Sequence, residues 1–113
     1  MIRGSLLLSA LLALLSSTAC ASKEQLSNAE LEGQWLYESH SAECHENPQP
    51  DLREQPPNLH GLFLRKSLPS GAPATEEQVR ETIIEGRGTM PAFDRRLREE
   101  DVKSLVKYLR KLK

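Results

Sequence analysis

The residues best suited to chemistry stand in one short stretch, Ser39-His40-Ser41-Ala42-Glu43-Cys44-His45. A cysteine followed at once by a histidine ends the motif C-x-x-C-H, in which thiols add to the vinyl groups of haem and the histidine binds its iron. The position where the motif has its first cysteine is Ser41. A surface cysteine beside a surface histidine would give the same pair. Other parts of the chain are therefore needed to distinguish a haem site from a chance pair.

The first part of the chain has the pattern of an export signal. Arg3 precedes a leucine-rich run over residues 6–15, and small residues lead to Cys20. The run is too short for the roughly 20 residues of a spanning helix. We predict a signal peptide over residues 1–19, a linker over 20–26 and one domain over 27–113. Cys20 is either the lipidated first residue of a lipoprotein, the prediction we favour, or the centre of an Ala19-Cys20-Ala21 cleavage site.

Both cleavage alternatives predict a periplasmic location, with membrane contact only through a lipid on Cys20. The exported domain then holds one cysteine, Cys44, and no internal disulfide. A lone thiol in an oxidising compartment is a liability unless something occupies it. The domain also has few aromatic residues, so a large apolar prosthetic group would stabilise it.

The charge is nearly balanced but unevenly distributed. From residue 23 onward there are 14 Lys and Arg against 16 Asp and Glu, with no basic stripe for nucleic acid. Residues 23–56 carry eight acids and two bases, whereas residues 94–113 carry four acids and eight bases. Such a dipole would orient a docking partner. Solvated faces that merely differ in charge are the alternative.

Three helices are predicted, joined by long loops. Ser27 and Glu30 form a capping-box pattern that begins a helix running to about Ser41. Thr75 begins a second capping box, and Gly86 is placed to end its helix. The third helix spans Glu99 to Leu112, with apolar residues at helical spacing but no good cap residue. Six of the seven prolines lie between residues 46 and 74, which indicates a loop-rich middle.

Four stretches around Cys44 and His45 carry a family resemblance. Gly33 and Tyr37 stand 12 and 8 residues before His45, Pro-Pro-Asn-Leu-His-Gly-Leu-Phe-Leu-Arg-Lys-Ser spans residues 56–67, and Gly-Thr-Met-Pro-Ala-Phe spans residues 88–93. With Leu105 and Tyr108 on the last helix, these resemble class I mono-haem cytochromes c over about residues 27–112. The resemblance implies an all-α cytochrome c-like fold, with three main helices and long loops around one haem.

The resemblance also implies roles for individual residues. His45 would be the proximal iron ligand and Met90 the distal one, with Cys44 as the covalent anchor. The carbonyl of Pro57 would orient His45, and Arg65 would contact a haem propionate. Gly33 and Tyr37 would pack against Leu105 and Tyr108. A thioether such as that of Met90 is a soft ligand that favours ferrous iron and raises the haem potential.

Other polar and aromatic residues receive simpler assignments. Leu59 and Phe63 are expected to line the core or the haem pocket, and His60 to lie at the surface or in hydrogen bonds. His40 has no counterpart in the family and is expected to be solvated. Trp35 either flanks the core or marks a docking surface.

Ser41 departs from the family's attachment motif, and a hydroxyl does not replace a thiol in addition to a vinyl group. Three outcomes follow: haem c held by one thioether, haem held by ligands and apolar contacts alone, or a haem-free domain. We favour the first.

The sequence therefore predicts a monomeric electron carrier, not an enzyme, that meets unidentified redox proteins and has haem c as its cofactor. The alternatives are a haem-free accessory module, a haem sensor or peroxidase with a labile Met90, and a metal site formed by His40, Cys44, His45 and His60.

Overall fold

The computed structural model describes residues 24–113, and the predicted signal segment and Cys20 lie outside these residues. Four α-helices follow in order: α1 Asn28–His40, α2 Ala42–His45, α3 Glu76–Glu85 and α4 Glu99–Lys111. A 3₁₀ turn spans Leu62–Leu64. Within residues 24–113 there are no strands, only the isolated bridges Ser67–Pro73 and Arg87–Met90. The all-α prediction with three main helices is confirmed.

The start of α1 is fixed by the predicted capping box. The Ser27 hydroxyl accepts the Glu30 N–H at 3.2 Å, and the Glu30 carboxylate accepts the Ser27 N–H at 2.8 Å. Both donors would otherwise lack a partner in the first turn. The helix ends one residue before Ser41, and α2 begins at once, so the chain turns where the Cys-His pair stands.

The predicted capping box of α3 is only half formed. The Thr75 hydroxyl accepts the Gln78 N–H at 3.3 Å, as expected of an N-cap. The prediction of a reciprocal bond was wrong because the Thr75 N–H already donates to the carbonyl of Pro73 at 2.8 Å. Gly86 ends the helix as predicted, with a φ of 73° that side chains rarely adopt.

The start of α4 depends on a signal that the sequence prediction missed. The carboxylate of Asp101 accepts the N–H of Arg98 at 2.9 Å, and the Arg98 guanidinium binds the same carboxylate. The acid three residues into the helix thus replaces the missing cap side chain. The arginine holds the pKa of Asp101 below its usual range.

Helices α1 and α4 pack face to face at Gly33. A methyl group on Gly33 would lie 2.0 Å from the Ser104 carbonyl oxygen and 2.8 Å from Tyr108 Cβ. The rings of Tyr37 and Tyr108 lie 5.4 Å apart between centroids, and Leu105 is buried beside them. The predicted pairing of these helices is therefore confirmed.

The core is one cluster that joins all the main helices. It contains Leu36, Tyr37, Leu62, Leu68, Val79, Ile83, Phe93, Leu97, Val102, Leu105, Val106 and Leu109. Each buried aliphatic side chain contributes about 1.5–3 kcal/mol of transfer free energy. Within residues 24–113, no helix combines the length and the apolarity needed to cross a bilayer.

Candidate functional site

His45 occupies the last position of α2 and is held by the loop that follows. Its Nδ1 lies 2.7 Å from the carbonyl oxygen of Pro57. A carbonyl oxygen only accepts, so Nδ1 carries the proton in this bond. The other ring nitrogen, Nε2, is left with a free lone pair, and His45 lines a cavity. This is the arrangement in which a second partner orients a metal-binding imidazole.

Cys44 and Ser41 lie on the wall of the same cavity. Side chains three residues apart share one side of a helical turn, which explains why both reach it. Cys44 is a free, exposed thiol, and Ser41 is half-buried. An accessible thiol is thus available at this wall, and the hydroxyl of Ser41 lies three residues before it in the chain.

Met90 also lines the cavity and is presented by a tight turn. The N–H of Arg87 donates to the Met90 carbonyl at 3.1 Å, and the N–H of Met90 donates to the Arg87 carbonyl at 2.9 Å. A Cβ on Gly86 would come within 2.6 Å of the Met90 carbonyl oxygen, so only glycine allows this close approach. Phe93 N–H also donates to the Ile83 carbonyl at 3.0 Å, which fastens the loop to α3.

The cavity itself has a volume of about 630 Å³, within the range of roughly 300–1,000 Å³ typical of cofactor sites. Its walls are mainly apolar, with Leu52, Leu59, Leu62, Leu68, Val79, Ile83, Phe93 and Leu109 among the lining residues. Imidazole, thioether and thiol groups all face this one apolar space. The lining therefore fits haem, which needs axial nitrogen or sulfur ligands and an apolar pocket.

Among residues 24–113, no group of three or more His, Cys, Asp or Glu side chains could hold a metal ion alone. This contradicts the alternative of a metal site formed by His40, Cys44, His45 and His60. In particular, His60 is not among the cavity-lining residues. Its ring instead binds Glu46 and the main chain of Lys113.

The structure places Arg65 away from the cavity wall. Its guanidinium donates to the carbonyls of Asn58 and His60, and Arg65 is not a lining residue. Leu59 lines the cavity as expected, whereas Phe63 packs against the core with Arg110 stacked 4.6 Å from its ring centroid. In the described part of the chain, the cations that line the cavity are Arg87 and Arg96.

His40 was expected to be solvated, and its position is more specific than that. Its side chain is exposed, yet it lines the cavity and makes an edge contact with the Phe93 ring at 6.0 Å between centroids. The sequence contains a pattern that predicts this position. Gly33, Tyr37 and His40 follow the helical spacing i, i+4 and i+7, so they share one face of α1. His40 is the last member of the inward face of α1.

A hydrogen-bonded network connects the residue after His45 to Lys113, two residues beyond α4. The carboxylate of Glu46 accepts the Tyr37 hydroxyl at 2.8 Å and His60 Nε2 at 3.0 Å. The Tyr37 bond and then the His60 bond lower the pKa of Glu46. The bond to the Lys113 main chain, and then Glu46, raise the pKa of His60. The predicted hydrogen-bonding role of His60 is thus confirmed.

Comparison with known proteins agrees with this geometry. The family described as cytochrome C oxidase, cbb3-type, subunit III matches residues 28–109, which is most of the chain. The chain belongs to this family. It is a c-type cytochrome of the mono-haem class, an electron carrier whose family binds haem c covalently. No curated protein matches this cytochrome in sequence.

A solved structure shows the same fold. Cytochrome c6 from the diatom Phaeodactylum tricornutum is similar with a TM-score of 0.51 and 23% identity. The match covers 71% of this cytochrome and 88% of the diatom protein. The cytochrome c-like fold predicted from the sequence is therefore confirmed.

Proposed function

We propose that this cytochrome carries single electrons through one haem c, with His45 as the proximal ligand, Met90 as the distal ligand and Cys44 as the only covalent anchor. The observation that carries the proposal is the convergence of these three side chains on one apolar cavity. Bound there, haem supplies a reversible one-electron couple. His45, oriented by Pro57, and Met90 would hold the iron, and no ligand position would then remain for activating a small substrate.

The single attachment follows from the chemistry of Ser41. Its hydroxyl occupies the wall beside Cys44 but does not form a thioether. His45, Met90 and the apolar lining would supply the remaining affinity. The same lining supports haem retention over the haem-free alternative, because a scaffold without a cofactor would gain from closing this cavity.

The decisive experiment is an optical spectrum of the protein produced together with haem-maturation machinery, with and without dithionite and then in pyridine. We expect a Soret band and an α-band displaced from the two-thioether position, with haem retained after acid extraction. Absence of a Soret band would overturn the carrier function and favour the accessory module.

Met90→Ala tests the distal ligand. The variant should lose the methionine-to-iron charge-transfer band and bind carbon monoxide rapidly when reduced, whereas the native protein should not. Thr89→Ala, on the same turn and exposed, is the matched control. Rapid carbon monoxide binding by the native protein would instead favour the sensor or peroxidase alternative.

The proposal also includes location and partners. The leader pattern supports export to the periplasm with a lipid on Cys20, and the segregated charge supports oriented docking of redox proteins to a monomer. Cell fractionation of native and Cys20→Ala protein tests the anchor, since only the native protein should stay with the membrane and incorporate labelled fatty acid. Recovery of both forms in the soluble periplasm would support simple secretion.

A further inference from the structure

The arginines that line the cavity differ from the one that the sequence resemblance predicts to bind a haem carboxylate. Haem has two carboxylates, and a carboxylate removed from water needs a cationic or hydrogen-bonding partner. The sequence resemblance assigns this role to Arg65, whose guanidinium is engaged with main-chain carbonyls off the cavity wall. Among residues 24–113, Arg87 and Arg96 are the Lys or Arg residues that line the cavity.

Arg96 is connected through Phe93 and His40 to the part of the cavity wall that carries Ser41 and Cys44. Its guanidinium lies 5.8 Å from the centroid of the Phe93 ring, and Phe93 makes its edge contact with His40, which precedes Ser41. In the proposed function, Ser41 and Cys44 would mark the side of the cavity that meets the vinyl groups. The carboxylates of a porphyrin lie on the edge away from those groups, which favours Arg87 over Arg96 as their partner.

Arg87 forms an ion pair with Glu54 at the cavity. Its guanidinium lies 3.7 Å from the carboxylate of Glu54, and both residues line the cavity. Glu54 stands on the loop that leads to Pro57, so this ion pair joins the His45 side of the cavity to the Met90 turn. The two side chains are 45% and 78% exposed, which places the pair at the mouth of the cavity.

The backbone fixes the position of Arg87 relative to Met90. Two main-chain hydrogen bonds join these residues, and Gly86 and Gly88 adopt the positive φ values that the turn requires. The backbone of Arg87 therefore keeps a fixed position relative to the backbone of Met90. A guanidinium is also well suited to binding a haem carboxylate, because its planar donors form two parallel hydrogen bonds with a carboxylate.

We infer that Arg87 binds a carboxylate of the cofactor at the mouth of the cavity and takes the role that the sequence resemblance gives to Arg65. The inference rests on the proposed function, since it requires haem in this cavity. Glu54 then acts as a positioning residue that holds the Arg87 guanidinium across the mouth.

The test is the reduction potential of the haem-loaded protein, measured by spectroelectrochemistry from about pH 5 to about pH 8. In Arg87→Gln, the apparent pKa that governs the potential should rise by about 1, because a carboxylate without its arginine protonates more readily. Arg87→Lys keeps the charge and should remain close to the native curve. Arg65→Gln and Arg96→Gln should leave the apparent pKa unchanged.

Two further variants separate carboxylate binding from a structural role. His40 and Glu54 also line the cavity and are titratable, so His40→Asn and Glu54→Gln show whether either produces the native pH dependence. Glu54→Gln should not raise the apparent pKa, because it removes no cation. If it reproduces the effect of Arg87→Gln, Arg87 acts only through the ion pair and the inference is wrong.

The remaining outcomes are equally decisive. A shift in Arg65→Gln without one in Arg87→Gln would restore the assignment to Arg65. A normal haem spectrum with an unchanged Arg87→Gln curve would overturn the inference and leave the proposed function intact. Protein without a Soret band would overturn the proposed function, and the inference with it.

Discussion

The hydroxyl of Tyr37 donates a hydrogen bond of 2.8 Å to the carboxylate of Glu46. Tyr37 lies in the core on α1, and Glu46 directly follows the candidate iron ligand His45. Burial, and then the carboxylate, raise the pKa of Tyr37, so its phenol remains a donor throughout the physiological range. The contact between α1 and α4 is in this way connected to the turn that carries His45.

Tyr37→Phe should lower the free energy of unfolding by about 1 kcal/mol, the usual net value of an intramolecular hydrogen bond. Urea unfolding at neutral pH measures the change as a lower midpoint. Tyr108→Phe is the matched control, because Tyr108 packs against the same ring and its hydroxyl has no hydrogen-bond partner among residues 24–113. Equal losses in both variants would contradict the role of the Tyr37 hydroxyl.

His60 should make stability depend on pH. Its two ring nitrogens lie 3.0 Å from the Glu46 carboxylate and 3.0 Å from the Lys113 main-chain oxygen. Both partners only accept, so both bonds require the protonated imidazole. The pKa of His60 is raised by folding, with the Lys113 bond as the largest cause and Glu46 second. Its contribution is therefore complete below the unfolded pKa, and it is lost as pH rises through the raised folded pKa.

Urea midpoints of native protein and His60→Gln, measured from about pH 5.5 to about pH 8.5, test this pH dependence. The native protein should lose stability as the pH rises above about 6.5, and His60→Gln should lack that loss. His40→Gln, also on an exposed histidine, serves as the control and should keep it. A native profile that is unchanged by His60→Gln would contradict the bridging role.

Gly33→Ala should be strongly destabilising. The added methyl would lie 2.0 Å from the Ser104 carbonyl oxygen, and main-chain atoms of α4 cannot move aside without separating the helices. We expect a loss of about 3 kcal/mol, at the upper end of typical overpacking costs. Glu32→Ala, exposed on the same helix, should change stability by less than about 0.5 kcal/mol. Thermal unfolding of both holo variants measures the difference.

Ser41→Cys should restore the second attachment. Residues 41 and 44 line one cavity, so a thiol at position 41 faces the same porphyrin edge as Cys44. The α-band in pyridine should move to the two-thioether position, and mass spectrometry should show no free thiol. Cys44→Ala should lose its haem on acid extraction. An unchanged band with a free thiol at position 41 would contradict this geometry.

The local elements of the fold were predictable because their signals are local. The Ser27 cap, the Thr75 cap and the stop at Gly86 each depend on residues within a few positions. The start of α4 was missed because an acid inside the helix, Asp101, performs the capping.

The site was predictable only in part, because some of its contacts join residues that are far apart in the sequence. The spacing of His45, Pro57 and Met90 pointed to one cavity through family resemblance, and all three line it. The pairing of Arg87 with Glu54 and the engagement of Arg65 by carbonyls depend on loop paths. Such contacts join distant parts of the chain, and no local pattern encodes them.

Packing of Gly33 against Ser104 has a consequence for the order of events during synthesis. Helix α1 is among the first parts of the domain to leave the ribosome, and its partner α4 is the last. Contacts between distant segments form late, because their loop must close first. The stretch with Cys44 and His45 is therefore synthesised before α4, whose Leu109 lines the cavity, and the cavity is complete only after α4 has packed against α1.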